Sequence, residues 1–307
     1  MSKEYIISYI QGRKHQLLKH FITGYGLESY NGKKIFKGKL ANKCLSEIIE
    51  SGKPFMAGRF GTTECLFFVN HLEIELGIRK KYRKERMDAM VCYSGFFPNE
   101  IESFYRYGEM MKKIYPCVDI LAPMGTLGDQ YVIKKYCKNA LFVDLGVFDP
   151  INSWVKCLKN KKVLVVHPFT QTIESQFEKI DQIWPNGEVP FFELETVKAV
   201  QSLGGANCGF KTWFDALESM EEEMDKKEYD IALIGCGAYG FPLAVHAKQT
   251  GHQAVHVGGA LQLFFGILGK RWENQEYMKP YINSYWVRPS EEETPEISSE
   301  VEGGCYW

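Results

Sequence analysis

Residues 229–272 read YDIALIGCGAYGFPLAVHAKQTGHQAVHVGGALQLFFGILGKRW. Ile231 to Ile234 is a short apolar run, followed by Gly235, Gly237 and Gly240 at G-x-G-x-x-G spacing. A helical pattern runs from Leu243 to Lys248 and closes at Gly251. Ala254 to Val257 is a second apolar run, and Gly258 and Gly259 open another helical stretch. The order is strand, glycine turn, helix, strand, glycine turn, helix. A helix crossover makes the two strands parallel and gathers the turns along one sheet edge, where a ligand crevice forms. Glycines let backbone approach a ligand, and a helix N-terminus offers unpaired N–H groups to an anion. Gly237, Tyr239 and Gly240 are therefore candidate ligand contacts. A dinucleotide site would also need an acidic residue about 20 residues on, for the ribose hydroxyls. His256 stands there instead. The other readings are a different phosphate-bearing ligand, or glycines that serve only tight turns and close packing.

The same rhythm extends upstream to Cys117. Apolar runs at 118–122, 141–144, 163–167 and 189–193 alternate with helical patterns, and together with 54–58, 231–235 and 254–257 they predict one mainly parallel sheet. The expected fold is a doubly wound, Rossmann-like α/β domain over residues 41–272, with helices on both faces. Residues 1–40 are expected to form an N-terminal helix and loop, and 273–307 a C-terminal extension with an acidic tail. Most strand runs end in glycine, proline or polar clusters, including Pro123-Met124-Gly125-Thr126, Asp144-Leu145-Gly146 and His167-Pro168-Phe169-Thr170. These ends are the candidate site.

Pro54 to Ala57 leads into Gly58-Arg59-Phe60-Gly61-Thr62-Thr63-Glu64. An arginine between glycines at a strand end can meet phosphate or carboxylate as a fork. Thr62 is the expected helix cap. Glu64 falls in the first helical turn, where a carboxylate also suits the helix dipole.

The 307 residues carry a net charge of −1, which gives no electrostatic case for nucleic acid. No apolar run approaches the roughly 18 residues of a membrane span, and the N-terminus is too polar for a signal peptide. Nine cysteines lie dispersed without a C-x-x-C pair, which points to reduced thiols and a cytoplasmic location. Tyr5, Ile6, Tyr9, Ile10, Leu17, Leu18 and Phe21 fall at helical spacing, expected to pack on the core or on a second subunit. The run RKKYRKER at 79–86 holds six basic residues. It is read as a solvated face, with a phosphate-bearing acceptor or peripheral membrane contact as the functional alternative. Residues 291–302 hold six glutamates. The Cys305-Tyr306-Trp307 end suggests that the last residues dock back or meet another subunit.

Two segments carry a family resemblance. GRFGTTE at 58–64 resembles the R-F-G-D-G-E-like segment of bacterial GT-D-type glycosyltransferases. DIALIGCGAYGFPLAVHAKQTGHQAVHVGG at 230–259 looks like the strand–glycine–helix–strand unit near the end of that domain. In layout the resemblance covers roughly residues 40–272. It implies transfer of a sugar from a nucleotide-sugar donor to a bacterial glycan or glycoprotein, usually with divalent manganese or magnesium. Arg59, Phe60, Gly61 and Glu64 match the motif. Thr62 stands where the family has an aspartate, and a threonine does not replace a charged hard-metal ligand. Metal dependence is therefore in doubt. Glu64 with Asp144 or Asp149 is the remaining candidate metal set.

The resulting assignment makes Glu64 and His256 catalytic candidates. Arg59, Gly61, Thr62, His167, Thr170, Gly237, Tyr239 and Gly240 are the donor contacts, with Thr172 as a further hydroxyl. His246 and His252 are read as structural. Two rival readings are a methyltransferase or other nucleotide-cofactor enzyme, and a non-catalytic nucleotide-sugar-binding subunit of a glycan assembly complex.

Overall fold

A computed structural model describes residues 4–9, 29–30, 32–202, 208–295 and 304–307. Its strands are β1 (Ser29–Tyr30), β2 (Lys33–Phe36), β3 (Phe55–Arg59), β4 (Ile120–Ala122), β5 (Leu141–Val143), β6 (Lys162–His167), β7 (Glu193–Lys198), β8 (Ile231–Ile234) and β9 (Gln253–His256). They form one sheet in the order β1-β2-β5-β4-β3-β9-β8-β6-β7. Only the β1–β2 pairing is antiparallel among them. This is the doubly wound, Rossmann-like α/β fold.

Strand side chains alternate between two cores, as a period of two requires. Met56, Leu164, Val166, Ala232 and Ile234 face one core, which also takes Phe67 and Phe68 of the Thr62–Glu75 helix and Leu243 of the Gly240–Gln249 helix. Phe55, Ala57, Val163, Val165, Ile231, Leu233 and Val255 face the other. There they meet Leu45 of the Gly38–Glu50 helix, Ile173 of the Thr170–Phe177 helix and Leu261 of the Leu261–Phe264 helix.

The topology fixes where a ligand can enter. From β3 the chain steps outward through β4 and β5, then crosses to β6 and returns inward through β8 to β9, which pairs with β3. The chain leaves β3 toward one core and β9 toward the other. Their C-terminal ends diverge and open a crevice at the point where the strand order reverses.

Several sequence expectations change. Val189 to Phe192 is not a strand: Val189 and Phe192 are buried beside Phe177, and the edge strand is the charged segment Glu193–Lys198. Edge strands use such charges to block further pairing. Residues expected as loop before 41 supply β1 and β2, with Ile35 buried. Gly61, not Thr62, is the N-cap of the Thr62–Glu75 helix, and it makes no side-chain cap bond. Residues around Trp154 form the 3-10 helix Ser153–Leu158 rather than an α-helix.

The two ends are tied to the body. Residues 4–9 are helical, and most of the expected helix over 3–23 lies outside the described residues. Tyr5 donates to the buried Glu73 at 2.6 Å. The same carboxylate receives Arg79 Nε at 2.8 Å and lies 3.8 Å from Arg83. The basic run is thus partly a clamp on Glu73, with Tyr82 stacked on Phe67 at 5.3 Å. Beyond residue 272, Met278 and Trp286 are buried in the second core. No helix among the described residues is long and apolar enough to cross a membrane.

Candidate functional site

A cavity of about 470 Å³ occupies the crevice at the strand C-termini. Arg59, Gly61, Thr62, Glu64, His167, Gly237, Tyr239 and His256 all line it. The sheet therefore brings eight of the sequence-derived site residues into one place. Five lie elsewhere: Gly240, Thr170, Thr172, Asp144 and Asp149. Gly240 stands behind His256, and the other four are outside the lining.

Glycines let the strand ends converge. Gly58 of β3 pairs with His256 of β9, and a Cβ at Gly58 would lie 3.0 Å from the His256 Cβ. A Cβ at Gly235 would lie 2.7 Å from the Gly258 carbonyl and 3.0 Å from the His167 ring. Gly258 adopts φ +75°, and its missing side chain leaves room for the Arg59 guanidinium, 3.4 Å from where a Cβ would stand. Gly237, at φ +57°, has nothing within 4 Å of its Cβ position, so this turn offers open backbone.

Electrostatics favour an anion. Arg59 and Arg271 are the cationic side chains of the described lining, and Glu64 is its one carboxylate side chain. Both histidines are neutral. Burial pushes the His167 pKa down to about 3. Its Nδ1 accepts from the Phe169 N–H at 3.1 Å, so the ring proton sits on Nε2. His167 thus supplies a hydrogen-bond donor rather than the positive charge expected of it. Burial, together with the Arg59 guanidinium, pushes His256 down to about 4. That value makes His256 a weak base. Its buried Nδ1 has no hydrogen-bond partner among the described residues.

Tyr239 is a wall of the cavity. Its ring stacks on Trp213 at 4.7 Å with 6° between planes. Ser202 Oγ donates to the Gly95 carbonyl at 2.7 Å, so the Tyr239 hydroxyl, 3.1 Å away, donates to Ser202. Glu64 is the third residue of its helix and folds back over the N-cap. A Cβ on Gly61 would fall within 1.8 Å of Glu64 Oε2.

The helix after β6 departs from expectation. Its N-terminus, assigned to an incoming phosphate through Thr170 and Thr172, is already capped by Glu293. That carboxylate, 1% exposed, accepts from the backbone N–H groups of Gln171 at 2.8 Å and Thr172 at 3.2 Å, and from the Thr172 hydroxyl. Tyr306 and Trp307 then form part of the cavity wall. The Tyr306 carbonyl accepts from Gln262 at 3.1 Å and the Trp307 carbonyl from Arg288 at 2.8 Å. The last residues do dock back. Arg271, Gln262 and this aromatic end were missed as site residues. The only signal for them was the pair of terminal aromatics.

A divalent metal fits this cavity poorly. Its described lining offers one carboxylate side chain, and the expected partner Asp144 flanks Gly146 beside Asp149, outside the lining. Hard cations need several oxygen ligands. Elsewhere, His71, Glu75 and Glu109 lie close enough together to hold an ion. The Lys112 ammonium occupies the space between those two carboxylates, at 2.5 and 2.6 Å. His71 is engaged as well, with Tyr82 at 2.7 Å and Glu109 at 3.2 Å.

Comparison with known proteins finds no matching protein-family model, curated protein or solved structure.

Proposed function

We propose that this chain is a glycosyltransferase that moves a sugar from a nucleotide-sugar donor to a glycan or glycoprotein acceptor in the cytoplasm. One observation carries the reading. Arg59, the His167 donor and the open Gly237 turn share an anion-favouring crevice with a single carboxylate, Glu64. In glycosyl transfer the acceptor oxygen bonds to the anomeric carbon as the bond to the diphosphate oxygen breaks. Charge then builds on the leaving diphosphate while the acceptor hydroxyl must lose a proton. The Arg59 guanidinium, the His167 Nε2–H and the backbone N–H groups of the 236–240 turn offset the first. Glu64 takes the proton. His256, neutral and buried, supports the Arg59 side of the crevice and is not assigned the base role. The donor set does not favour a metal, and no step is routed through one.

A calorimetric screen with UDP-sugars, GDP-sugars, S-adenosylmethionine and NAD tests the ligand class. We expect a nucleotide sugar to bind and the other two to fail. Binding of S-adenosylmethionine or NAD instead would favour the rival nucleotide-cofactor enzyme. Binding of a nucleotide sugar without turnover on any acceptor would favour a binding subunit.

A further inference from the structure

We propose that Tyr93 and Ser94 form a sugar-binding subsite of this cavity, which takes a neutral pyranose ring of the acceptor. Assigning that ring to the acceptor rests on the proposed glycosyl transfer; sugar binding itself does not.

Tyr93 and Ser94 end the Lys84–Ser94 helix, and Gly95 closes it at φ +65°. All three line the cavity. Tyr93 is 48% exposed, and its side chain has no hydrogen bond or ring contact among the described residues. A large ring left uncovered beside a cavity presents a flat apolar face to a ligand. Ser94 is the opposite case. It is 3% exposed, yet its Oγ has no hydrogen-bond partner among the described residues. A serine in a last helical turn can bond back to the carbonyl four residues earlier. That carbonyl, of Met90, instead accepts from the Phe96 N–H at 3.0 Å. A buried hydroxyl without a partner costs stability, and one that lines a cavity is satisfied when a ligand bonds to it.

The side chains that continue this wall are also uncharged. Ser202 Oγ donates to the Gly95 carbonyl at 2.7 Å and receives the Tyr239 hydroxyl at 3.1 Å. Next to it in the chain, Gln201 donates to the Glu293 carbonyl at 3.4 Å, and the Trp307 indole donates to the same carbonyl at 3.3 Å. Tyr93, Ser94, Ser202, Gln201 and Trp307 thus follow one another along the cavity, with an aromatic ring at either end and neutral hydroxyl and amide groups between. This mixture suits a pyranose. Its C–H face lies on an aromatic ring, and its hydroxyls bond to uncharged donors and acceptors. Tyr239 belongs to the Gly237–Tyr239 turn, so the wall adjoins the place assigned to the diphosphate.

The full chain is titrated with methyl glycosides of glucose, galactose and N-acetylglucosamine, and with uridine, by ligand-observed NMR. The proteins are wild type, Tyr93→Ala, Tyr93→Phe, Ser94→Ala and Arg59→Gln, each also melted. We expect at least one glycoside to bind wild type. Tyr93→Ala should weaken it about tenfold and Ser94→Ala about fivefold. Tyr93→Phe keeps the ring and should retain affinity. Arg59→Gln should retain it too, because the sugar carries no charge. Ser94→Ala should melt at or above wild type, since it removes an unpaired hydroxyl. Failure of all three glycosides to bind overturns the subsite. So does wild-type affinity in Tyr93→Ala or in Ser94→Ala, or an equal loss in Arg59→Gln. A lower melting point for Ser94→Ala would give its hydroxyl a partner in the fold and also overturns it. Uridine binding that Tyr93→Ala abolishes would make the ring a nucleobase platform, with the same consequence. Glycoside affinity needs no sugar transfer. Binding that depends on Tyr93, in a chain that transfers nothing, sinks the glycosyltransferase reading alone; transfer with binding indifferent to Tyr93 sinks the subsite alone.

Discussion

Gly240 lies so close to His256 that a Cβ on it would stand 2.2 Å from Cε1 and Nδ1 of the imidazole. The glycine that looked like a ligand contact is instead the seat of a buried ring. The contrast with Gly61, whose blocking atoms are the end of the Glu64 side chain, is instructive.

Gly240→Ala should destabilise the protein. Gly240 is helical, at φ −62°, so alanine alone would gain ~1 kcal/mol there. The imidazole cannot withdraw, and overpacking costs ~1–3 kcal/mol. Urea unfolding should show a lower midpoint with an unchanged slope. Gly61→Ala should leave stability within ~0.5 kcal/mol, because the Glu64 carboxylate can swing aside. A midpoint for Gly240→Ala at or above wild type would remove the close contact.

Acid stability follows from two buried histidines and one half-buried carboxyl. Above pH 6.5, His167 and His256 are neutral whether folded or not. Below it the unfolded chain takes up protons that the folded chain refuses until about pH 4 at His256 and about pH 3 at His167, so stability falls with pH. Asp149 opposes this. Burial, with Asp144 adding, pushes its carboxyl from 3.8 up to about 6, so ionising it in the fold is costly. Asp149→Asn should therefore be more stable than wild type at pH 7. That advantage should shrink by ~1.4 kcal/mol per pH unit from about pH 6 to 4. Chemical denaturation of both proteins at four pH values checks the slope, and a difference that does not vary with pH refutes the assignment.

Much of this fold could be read from residues alone. Runs such as Ile231–Ile234 and Val163–Val166 are central strands, buried on both faces, and their continuous apolar character is a strong signal. Lys33–Phe36 and Glu193–Lys198 carry too few apolar residues to announce themselves, since each belongs to the periphery of the sheet. The site was legible where chemistry follows strand ends, as at Arg59 and His167. It was not legible where distant chain closes the cavity. Nothing local to Glu293 says that it caps a helix 121 residues away in sequence, or that Tyr306 lies on Gly259.

Glu293→Gln tests that closure. It removes a buried charge that serves four donors, the backbone N–H groups of Gln171 and Thr172 and the hydroxyls of Thr172 and Ser290. Charge-assisted bonds of this kind contribute ~1.5–3 kcal/mol. We expect a loss of that order in thermal melting, together with faster amide exchange at 304–307. Wild-type melting would show that the cap contributes little.

Thr62→Asp should create manganese binding that the wild type lacks or holds weakly, because it sets a second carboxylate beside Glu64 in the lining. Titration followed by manganese electron paramagnetic resonance reads this directly. No gain in affinity would mean that Glu64, folded over Gly61, is not available as a ligand.

Under the proposed function, Arg59 and Glu64 act on one bound nucleotide sugar. The most direct measurement is sugar transfer, or donor hydrolysis, by wild type, Arg59→Gln and Glu64→Gln, with melting recorded on the same samples. Glu64→Gln should cut turnover about 10²-fold or more at near-wild-type stability, since removing the group that moves a proton costs that much. A first-turn glutamate adds only ~0.3–1 kcal/mol to folding through the helix dipole. Arg59→Gln should weaken donor binding about tenfold or more. Wild-type turnover in Glu64→Gln, with unchanged donor affinity in Arg59→Gln, would rule out that role for both residues.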